Sequence, residues 1–540
     1  MIRVRNAGYL YDGSGIHALE DISLVLEPGE RICVLGPNAG GKSTLAQLIA
    51  GVRFATAGEV VVDGTVLTPK TAISVARNVG FVAQDPRSSM VSSLVFDEVA
   101  FGLRNLGLPS KKVTGRALGA LEHCGIRKLQ HSSTTELSGG QQQLVSLAAA
   151  LALDPAFLVL DEATAMLDGT SAKRIDALVD GLVADGVGVL EITHSILRAM
   201  GAHRIIVIDR GRMVWQGGFD ALLSDDGALR VLGLDGDPTV ALLRTIRAEG
   251  FSFSPGCTPD DVRSYAEMHH LGYRLRSVVA PHRIAPGIAP AHELALDGVG
   301  VVYGKNVALS DLSLAIGDEL VVVAGPSGSG KSTCAAVLTG ILPPDEGDAL
   351  LDGERVRAGR VGLAMQYPQD QLFAPTVRDD IAFGPRNLGV EGAVLDAAVS
   401  SAADAMGISD LLDRNPFELS GGQARRAALA GIIALNPSAY IFDEPLSGLD
   451  AFGRRQTKAL VARLRAAHAP VIIVSHDVEE WLDAASRVIF LREGHLAYDC
   501  DGVAAQTRTQ PYISCGLEPP LAVAMRALSG MGSERRPQHG

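Results

Sequence analysis

The sequence predicts an α/β fold laid down twice, as two modules that each carry a parallel sheet at the core. Three observations predict it. Short apolar runs alternate with longer helical segments, the pattern of buried parallel strands and their crossover helices. A series of short motifs occurs twice in one order. The 540 residues are about twice the length at which a single hydrophobic core stops growing.

The repeat is read from positions. Gln84-Asp85-Pro86 recurs as Gln366-Tyr367-Pro368, and Leu137-Ser138-Gly139-Gly140-Gln141 as Leu419-Ser420-Gly421-Gly422-Gln423. Asp161-Glu162 recurs as Asp443-Glu444 and His194 as His476, every pair 282 positions apart. A constant offset means two copies of one fold, with length changes confined elsewhere. The glycine-rich segments ending in Lys42 and Lys331 stand 289 apart, so the first copy has seven extra residues before Gln84. Residues 53–70 of that stretch, with glycine, proline and polar side chains, read as strands joined by turns.

The strands follow in order. Residues 32–35, 157–160 and 188–192 are the apolar runs of the first copy, and residues 320–324, 439–442 and 471–474 those of the second. Between the copies, residues 281–290 hold Pro281, Pro286 and Pro290, which suits an extended linker. Gly233-Leu234 with Pro238 and Leu242 is echoed by Gly516-Leu517 with Pro520 and Ala524, so each copy is expected to end in a small appendage. The expected organisation is a first module over 1–235, an appendage and linker over 236–291, a second module over 292–500, and a short appendage with a disordered tail over 501–540.

Composition narrows the function. With 47% hydrophobic and 20% charged residues the chain is globular, and a net charge of -13 argues against nucleic acid as a partner. Six scattered cysteines without a C-x-x-C pair suit reduced cytosolic thiols. No apolar stretch reaches the ~18 residues of a membrane span, and no signal peptide is expected. The longest candidate, residues 144–153, ends at Asp154-Pro155 and reads as a buried helix, so any membrane role needs partner subunits.

The chemistry lies in the motifs. Gly36-Pro37-Asn38-Ala39-Gly40-Gly41-Lys42-Ser43 and Gly325-Pro326-Ser327-Gly328-Ser329-Gly330-Lys331-Ser332 both satisfy G-x-x-x-x-G-K-S, each after an apolar run and before a helix. Such a loop cradles phosphates on backbone N–H groups, its lysine reaches the β- and γ-phosphates, and its serine hydroxyl ligates magnesium. Thr44 and Thr333 complete the two loops. Asp161 and Asp443 each close a strand beside the loop, where a magnesium-binding carboxylate belongs. Glu162 and Glu444 next to them are placed to orient or deprotonate an attacking water. Seen alone, such an acidic pair is a solvated strand end; its place in the series makes it catalytic.

The doubled Leu-Ser-Gly-Gly-Gln separates one group of phosphate-loop ATPases from the rest. With it the chain resembles the ATP-binding-cassette (ABC) ATPases over nearly all of both halves. The resemblance implies that each module has a parallel-sheet core of the P-loop NTPase type, an antiparallel β subdomain and a helical signature subdomain. It implies that the modules pair head to tail within the chain, each site joining the phosphate loop of one half to the Ser-Gly-Gly of the other. One ATP site then combines Lys42, Ser43, Gln84, Asp161, Glu162 and His194 with Ser420, Gly421, Gly422 and Gln423. The other combines Lys331, Ser332, Gln366, Asp443, Glu444 and His476 with Ser138, Gly139, Gly140 and Gln141. Gln84 and Gln366 join Ser43, Ser332 and the two aspartates around Mg2+, and His194 and His476 become γ-phosphate sensors. Tyr11 and Tyr303 are similar to the aromatic residues that stack on adenine, with Tyr9 competing for the first position. The halves differ where Leu144 stands opposite Arg426 and Ala39 opposite Gly328, which predicts two competent sites of unequal rate.

A further resemblance narrows the type. Residues 99–107 match residues 381–389 at the same offset, a region that in importers receives helices of the membrane subunits. Gln366-Tyr367-Pro368-Gln369-Asp370-Gln371-Leu372-Phe373, followed by Ala382-Phe383-Gly384-Pro385-Arg386-Asn387-Leu388-Gly389, looks like the A-component ATPases of energy-coupling-factor (ECF) transporters. The first half has Ser88-Ser89-Met90 where the second has Asp370-Gln371-Leu372. The resemblance implies a membrane T-component and a substrate-binding S-component as partners, import of vitamins or metal ions, and a peripheral place on the cytoplasmic face of the membrane. Two other readings stay open: the fused ATPase of a sugar or peptide ABC importer with its own permease subunits, and a soluble ABC protein of translation or DNA repair.

Overall fold

The computed structural model describes residues 1–11, 15, 17–75, 77–164, 167, 169–275, 292–365 and 371–530. Gln366, the proline-rich linker and the expected tail lie outside the described residues. The chain divides into two units, Met1–Tyr265 and Ala266–Gly540.

In the first unit the strands run β1 (Ile2–Leu10), β2 (His17–Leu26), β3 (Arg31–Leu35), β4 (Ala57–Val62), β5 (Thr65–Val66), β6 (Val79–Val82), β7 (Phe157–Asp161), β8 (Gly188–Ile192), β9 (Arg204–Asp209) and β10 (Arg212–Gly217). One sheet is antiparallel, in the order β2-β1-β4-β5. The other has the order β10-β9-β3-β8-β7-β6 and is parallel throughout except for β10 against β9.

Every residue of β3, β7 and β8 is buried. That explains the uninterrupted apolar runs, because layers cover both faces of a parallel sheet. Side chains alternate between two cores. Phe157 and Val159 of β7 pack with Ile2, Val4 and Val60 of the antiparallel sheet. Leu158 and Leu160 face the helices Val95–Asn105, Ser110–His123 and Gly139–Ala152, through Val99, Leu103, Leu121 and Leu144. The apolar stretch at 144–153 is therefore a core helix, and among the described residues no helix is long and apolar enough to cross a membrane.

The second unit repeats the plan in β11 (Leu294–Tyr303), β12 (Asn306–Ile316), β13 (Leu320–Ala324), β14 (Glu346–Leu351), β15 (Glu354–Arg355), β16 (Val361–Ala364), β17 (Ala439–Asp443), β18 (Val471–Val474), β19 (Arg487–Arg492) and β20 (His495–Asp501). Its sheets have the orders β12-β11-β14-β15 and β16-β17-β18-β13-β19-β20. The seven extra residues of the first copy are placed by this comparison. The chain between β5 and β6 takes residues 67–78 and includes the helix Ala72–Val75, whereas residues 356–360 suffice between β15 and β16. The extra length thus lies after the short strands and not among them.

Each sheet is followed by small helices. In the first unit these are Phe219–Ser224, Asp226–Val231 and Pro238–Ala248, with Phe219, Phe253, Phe251 and Tyr265 packed edge to face in series. The division at residue 265 falls inside the helix Pro259–Met268. In the second unit Gly502–Thr507, Gln510–Cys515 and Leu521–Leu528 follow β20, and the short helix Gly272–Leu275 lies against the last of them. A Cβ on Gly272 would stand 2.5 Å from the carbonyl oxygen of Leu528, so this backbone approach requires glycine.

Candidate functional site

The phosphate loops, the Asp-Glu pairs, Gln84 and the two histidines follow the carboxyl ends of parallel strands, where an open α/β sheet places its ligand site. β3 runs into the first phosphate loop, β6 into Gln84, β7 into Asp161-Glu162 and β8 toward His194. β13, β17 and β18 do the same for the second loop, Asp443-Glu444 and His476.

Glycine is required where each loop leaves its strand. At Gly36 φ is 152°, and a Cβ would fall 2.0 Å from the carbonyl of Ile208; at Gly325 φ is 158° with Leu491 O at 2.3 Å. Each loop ends at a left-handed N-cap, Gly41 or Gly330, and no side chain caps either of the helices Lys42–Ile49 and Lys331–Leu338. The first-turn N–H groups are left to an anion. Lys42 Nζ donates to the carbonyls of Gly36 (2.9 Å) and Pro37 (2.8 Å), and Lys331 Nζ to Gly325 (2.7 Å) and Pro326 (2.9 Å), so both ammonium groups sit inside the curl of the loop. Ala39 occupies a left-handed conformation, φ 58°, where the second loop has Gly328 at φ 80°. For a residue with a Cβ that costs on the order of 1 kcal/mol.

The serine hydroxyls and strand-end aspartates meet: Ser43 Oγ donates to Asp161 Oδ1 at 3.0 Å, and Ser332 Oγ to Asp443 Oδ2 at 2.9 Å. Burial, and next the charge of the adjacent glutamate, push both aspartates up to about 6, against the pull of the serine and the loop lysine. Hydroxyl and carboxylate oxygens fit magnesium, a hard cation that takes few protein ligands when it also binds phosphate. Glu162 and Glu444 have left-handed backbones, φ 50° and 49°, a strain associated with functional positions.

The two glutamates are held differently. Gln84 Nε2 donates to Glu162 Oε2 at 3.0 Å, so Gln84 touches the glutamate directly. His194 Nε2 stands 2.9 Å from Glu162 Oε1 but off the angle of a hydrogen bond. Glu444 Oε1 accepts from the backbone N–H of His476 at 2.8 Å and pairs with His476 Nδ1 at 2.7 Å, and Ser475 Oγ donates to Oε2 at 3.2 Å. Burial opposes charge on His476, but the charge and hydrogen bond of Glu444 prevail and raise it to about 9. Burial likewise opposes charge on Glu444, and His476 holds it below the usual carboxylate range.

Ser138 and Ser420 cap the helices Gly139–Ala152 and Gly421–Leu435. Each accepts from the N–H of the glutamine three residues on, and that glutamine's Oε1 accepts from the serine N–H, at 3.1 Å for Gln141 and 3.0 Å for Gln423. Gln141 and Gln423 thus shape their own helix ends as reciprocal caps. Both serines are exposed, and a Cβ on Gly421 would meet nothing within 4 Å. Tyr11 packs edge-on to Tyr9 beneath the guanidinium of Arg53, its hydroxyl 3.2 Å from Thr44 Oγ1. Tyr303, at the tip of the β11–β12 hairpin, is 52% exposed.

Several functional partners were not read from the sequence. Glu98 Oε2 accepts from the N–H groups of Val91 (2.9 Å) and Ser92 (2.7 Å), and Asp380 Oδ1 from those of Phe373 and Ala374 (both 3.0 Å). The 282 offset relates these acids, so each half braces the segment after its glutamine in one way. Next to that brace in the second unit is a cavity of about 250 Å3 lined by Met365, Phe373, Phe383 and Leu435. Phe373 and Phe383 are half exposed and stacked edge to face, and Val91 and Phe101 of the first unit are exposed at the same repeat positions. Gln143 and Arg425, at equivalent places on the signature helices, reach Ala83 O (3.2 Å) and Glu444 O (2.7 Å).

Comparison with known proteins matches residues 19–165 and again 309–447 to the family described as ABC transporter. A protein of Bifidobacterium longum (strain NCC 2705) named as an ABC transporter ATP-binding protein is 33% identical over 95% of this chain and 67% of its own length. A Bacillus subtilis (strain 168) protein named as an HMP/thiamine import ATP-binding protein, YkoD, is 28% identical over 94% of this chain and 93% of its own. Among solved structures, cbiO1 from Clostridium perfringens, described as part of the ABC transporter complex cbiONQ, aligns with a TM-score of 0.39 and 29% identity over 45% of this chain and 98% of that one. With two matched segments that each hold a phosphate loop, a capped Ser-Gly-Gly helix and a strand-end Asp-Glu pair, the chain belongs to the ABC transporter family, as an ATP-binding protein with the domain in tandem.

Proposed function

We propose that this chain is the fused ATPase pair of an ECF-type importer, hydrolysing ATP at two sites to drive uptake of a vitamin or metal ion through membrane partners. At each site the curled loop and the helix N-terminus take the phosphates, with Lys42 or Lys331 against the β- and γ-phosphates. Ser43 with Asp161, and Ser332 with Asp443, would hold Mg2+, which offsets charge on the phosphates. Glu162 or Glu444 orients a water and takes its proton as the water oxygen bonds to the γ-phosphorus and the bond to the bridging oxygen breaks. ADP and phosphate are the products. A protonated His476 both aligns Glu444 and adds a positive charge beside the γ-phosphate.

The sites are read as shared between the halves, each completed by the Ser-Gly-Gly of the opposite half. The supporting observation is that Ser138 and Ser420 are exposed and engaged in the caps of their own helices, and that among the described residues a Cβ on Gly421 would meet nothing within 4 Å. A glycine with open space before it suits the approach of a ligand from outside its own unit.

The observation that carries the importer reading is the doubled segment braced by Glu98 and Asp380, with Phe101 exposed beside it in the first unit and Phe373 and Phe383 edging a cavity in the second. A groove so placed lets a docked membrane helix act on the glutamine loop, and hence on Glu162. The import named for the Bacillus subtilis relative favours the ECF type over sugar or peptide importers. The test is co-expression of the tagged chain with the small polytopic membrane proteins encoded beside it. The chain should enter membranes only with them, and vesicles carrying the complex should take up a vitamin or a metal ion on addition of ATP. Uptake of a sugar or peptide would select the other importer reading. Recovery on ribosomes or DNA, with no membrane partner, would contradict transport.

A further inference from the structure

The signature helix of the second unit holds more than its own N-terminus. Arg425 lies about one and a half turns beyond the capping Ser420 on the helix Gly421–Leu435 and is 7% exposed. Its Nη1 donates to the main-chain carbonyl of Glu444 at 2.7 Å. On the other side of that residue, the N–H of Glu444 donates to Val474 O at 2.8 Å. The backbone of Glu444 is therefore held from both sides across a left-handed φ of 49°. A guanidinium suits this task, being permanently charged, planar and long enough to reach from the helix to the end of β17.

The first unit has Gln143 in the same place. Its shorter amide donates to Ala83 O, the residue before Gln84. In the second unit the residue equivalent to Ala83 is Met365, whose N–H is taken by Gln371 Oε1 at 3.0 Å. Gln143 thus reaches the start of the glutamine loop, and Arg425 reaches the end of the catalytic strand.

We propose that Arg425 is a positioning residue for Glu444, tying the backbone of that base to the helix that carries Ser420, Gly421 and Gly422. The inference rests on Glu444 acting as the base. Replacement by glutamine removes the charged donor from a buried carbonyl and lets a strained residue relax, which moves the carboxylate without touching nucleotide. Turnover should fall while ATP affinity stays, the split expected when only transition-state geometry is lost.

The experiment is a double-mutant cycle on the full-length chain carrying Lys42→Ala, which leaves hydrolysis to the site of Glu444, reading single-turnover hydrolysis at saturating ATP together with the Kd for ATP. Arg425→Gln should lower the rate roughly tenfold with Kd changed less than about twofold. Arg425→Lys, which keeps charge and a donor, should recover part of the loss. Added to Glu444→Gln, Arg425→Gln should cost nothing further. An unchanged rate in Arg425→Gln, or an equal further loss in the Glu444→Gln protein, would overturn the proposal. If Glu444→Gln alone left the rate unchanged, the reading of Glu444 as base would be at fault instead. Glutamine already stands at this position in the first unit; should Arg425→Gln not fold, the same cycle run with Arg425→Lys decides the question.

Discussion

Asp161 is buried and Asp443 partly buried, and their partners do not compensate for lost solvation. Their raised values mean that the folded chain binds a proton more tightly than the unfolded one. Stability is therefore lost as pH rises from the ordinary aspartate value of 3.8 through about 6, and stays low above it. In the absence of nucleotide and magnesium, Asp161→Asn or Asp443→Asn should raise stability at pH 7.5 by on the order of 1 kcal/mol while lowering turnover. Thermal melts of the variants and parent across pH should converge toward pH 4; parallel curves would show that the charge is not the cause. Glu162 and Glu444 make a second comparison. Glu162→Gln and Glu444→Gln should leave unequal residual ATPase rates, because His476 and Ser475 bond to Glu444 whereas His194 only abuts Glu162. Equal residuals in a steady-state assay would remove the asymmetry.

A buried network sets the first unit apart. Glu191 on β8 accepts from Arg31 (2.8 Å) and Arg198 (2.8 Å), and burial notwithstanding, the two guanidinium groups hold it down at about 2. Its contribution is full above the ordinary glutamate value of 4.5 and is lost as pH falls toward 2. Glu191→Gln leaves two cations without their buried partner and should cost about 3 kcal/mol in chemical denaturation at neutral pH. A loss below 1 kcal/mol would show that Asp176 and Asp180 take over. At the repeat position the second unit has Ile473, and the nearby pair Asp176–Arg198 is replaced by Lys458–Glu480 with the charges exchanged. Glu191 stands in plain sight within an apolar run, but its partners come from Arg31 and Arg198, and no local pattern in sequence announces such a meeting.

At the scale of elements, what could be read was whatever a local pattern controls. β3, β7 and β8 are continuous apolar runs because both faces are covered, and the phosphate loops announce themselves through glycines such as Gly36 and Gly325, where a Cβ would collide with backbone. The capping boxes are legible as Ser-x-x-Gln, and the bonds of Gln141 and Gln423 add a capping role to the nucleotide contact that the resemblance implies. Every helix start leaves orphan N–H groups, and the serine and glutamine of each motif satisfy two of them. The helix Ala72–Val75 was missed because four residues are too short for a periodic signal. Glu98 and Asp380 were hidden for another reason: on the sequence they are first-turn acids of amphipathic helices, and only the fold brings Val91, Ser92, Phe373 and Ala374 back onto them.

At the scale of the whole molecule the repeat is the dominant fact. Two units with the same sheet orders come from two copies that share a motif offset, and the inserted residues fall in one connection between β5 and β6. Each unit carries its own phosphate loop, Asp-Glu pair and capped signature helix, so a single unit has every part of an ATP site. The account holds that the parts are nonetheless used crosswise. The direct test pairs one loop mutation with each signature mutation and measures ATP turnover of the folded full-length proteins. Lys42→Ala with Ser420→Ala places both defects in one composite site, and this protein should turn over ATP as Lys42→Ala alone does. Lys42→Ala with Ser138→Ala damages both sites and should be inactive. The opposite order, with activity surviving only in the Lys42 and Ser138 pair, would mean that each half completes its own site and would contradict the account.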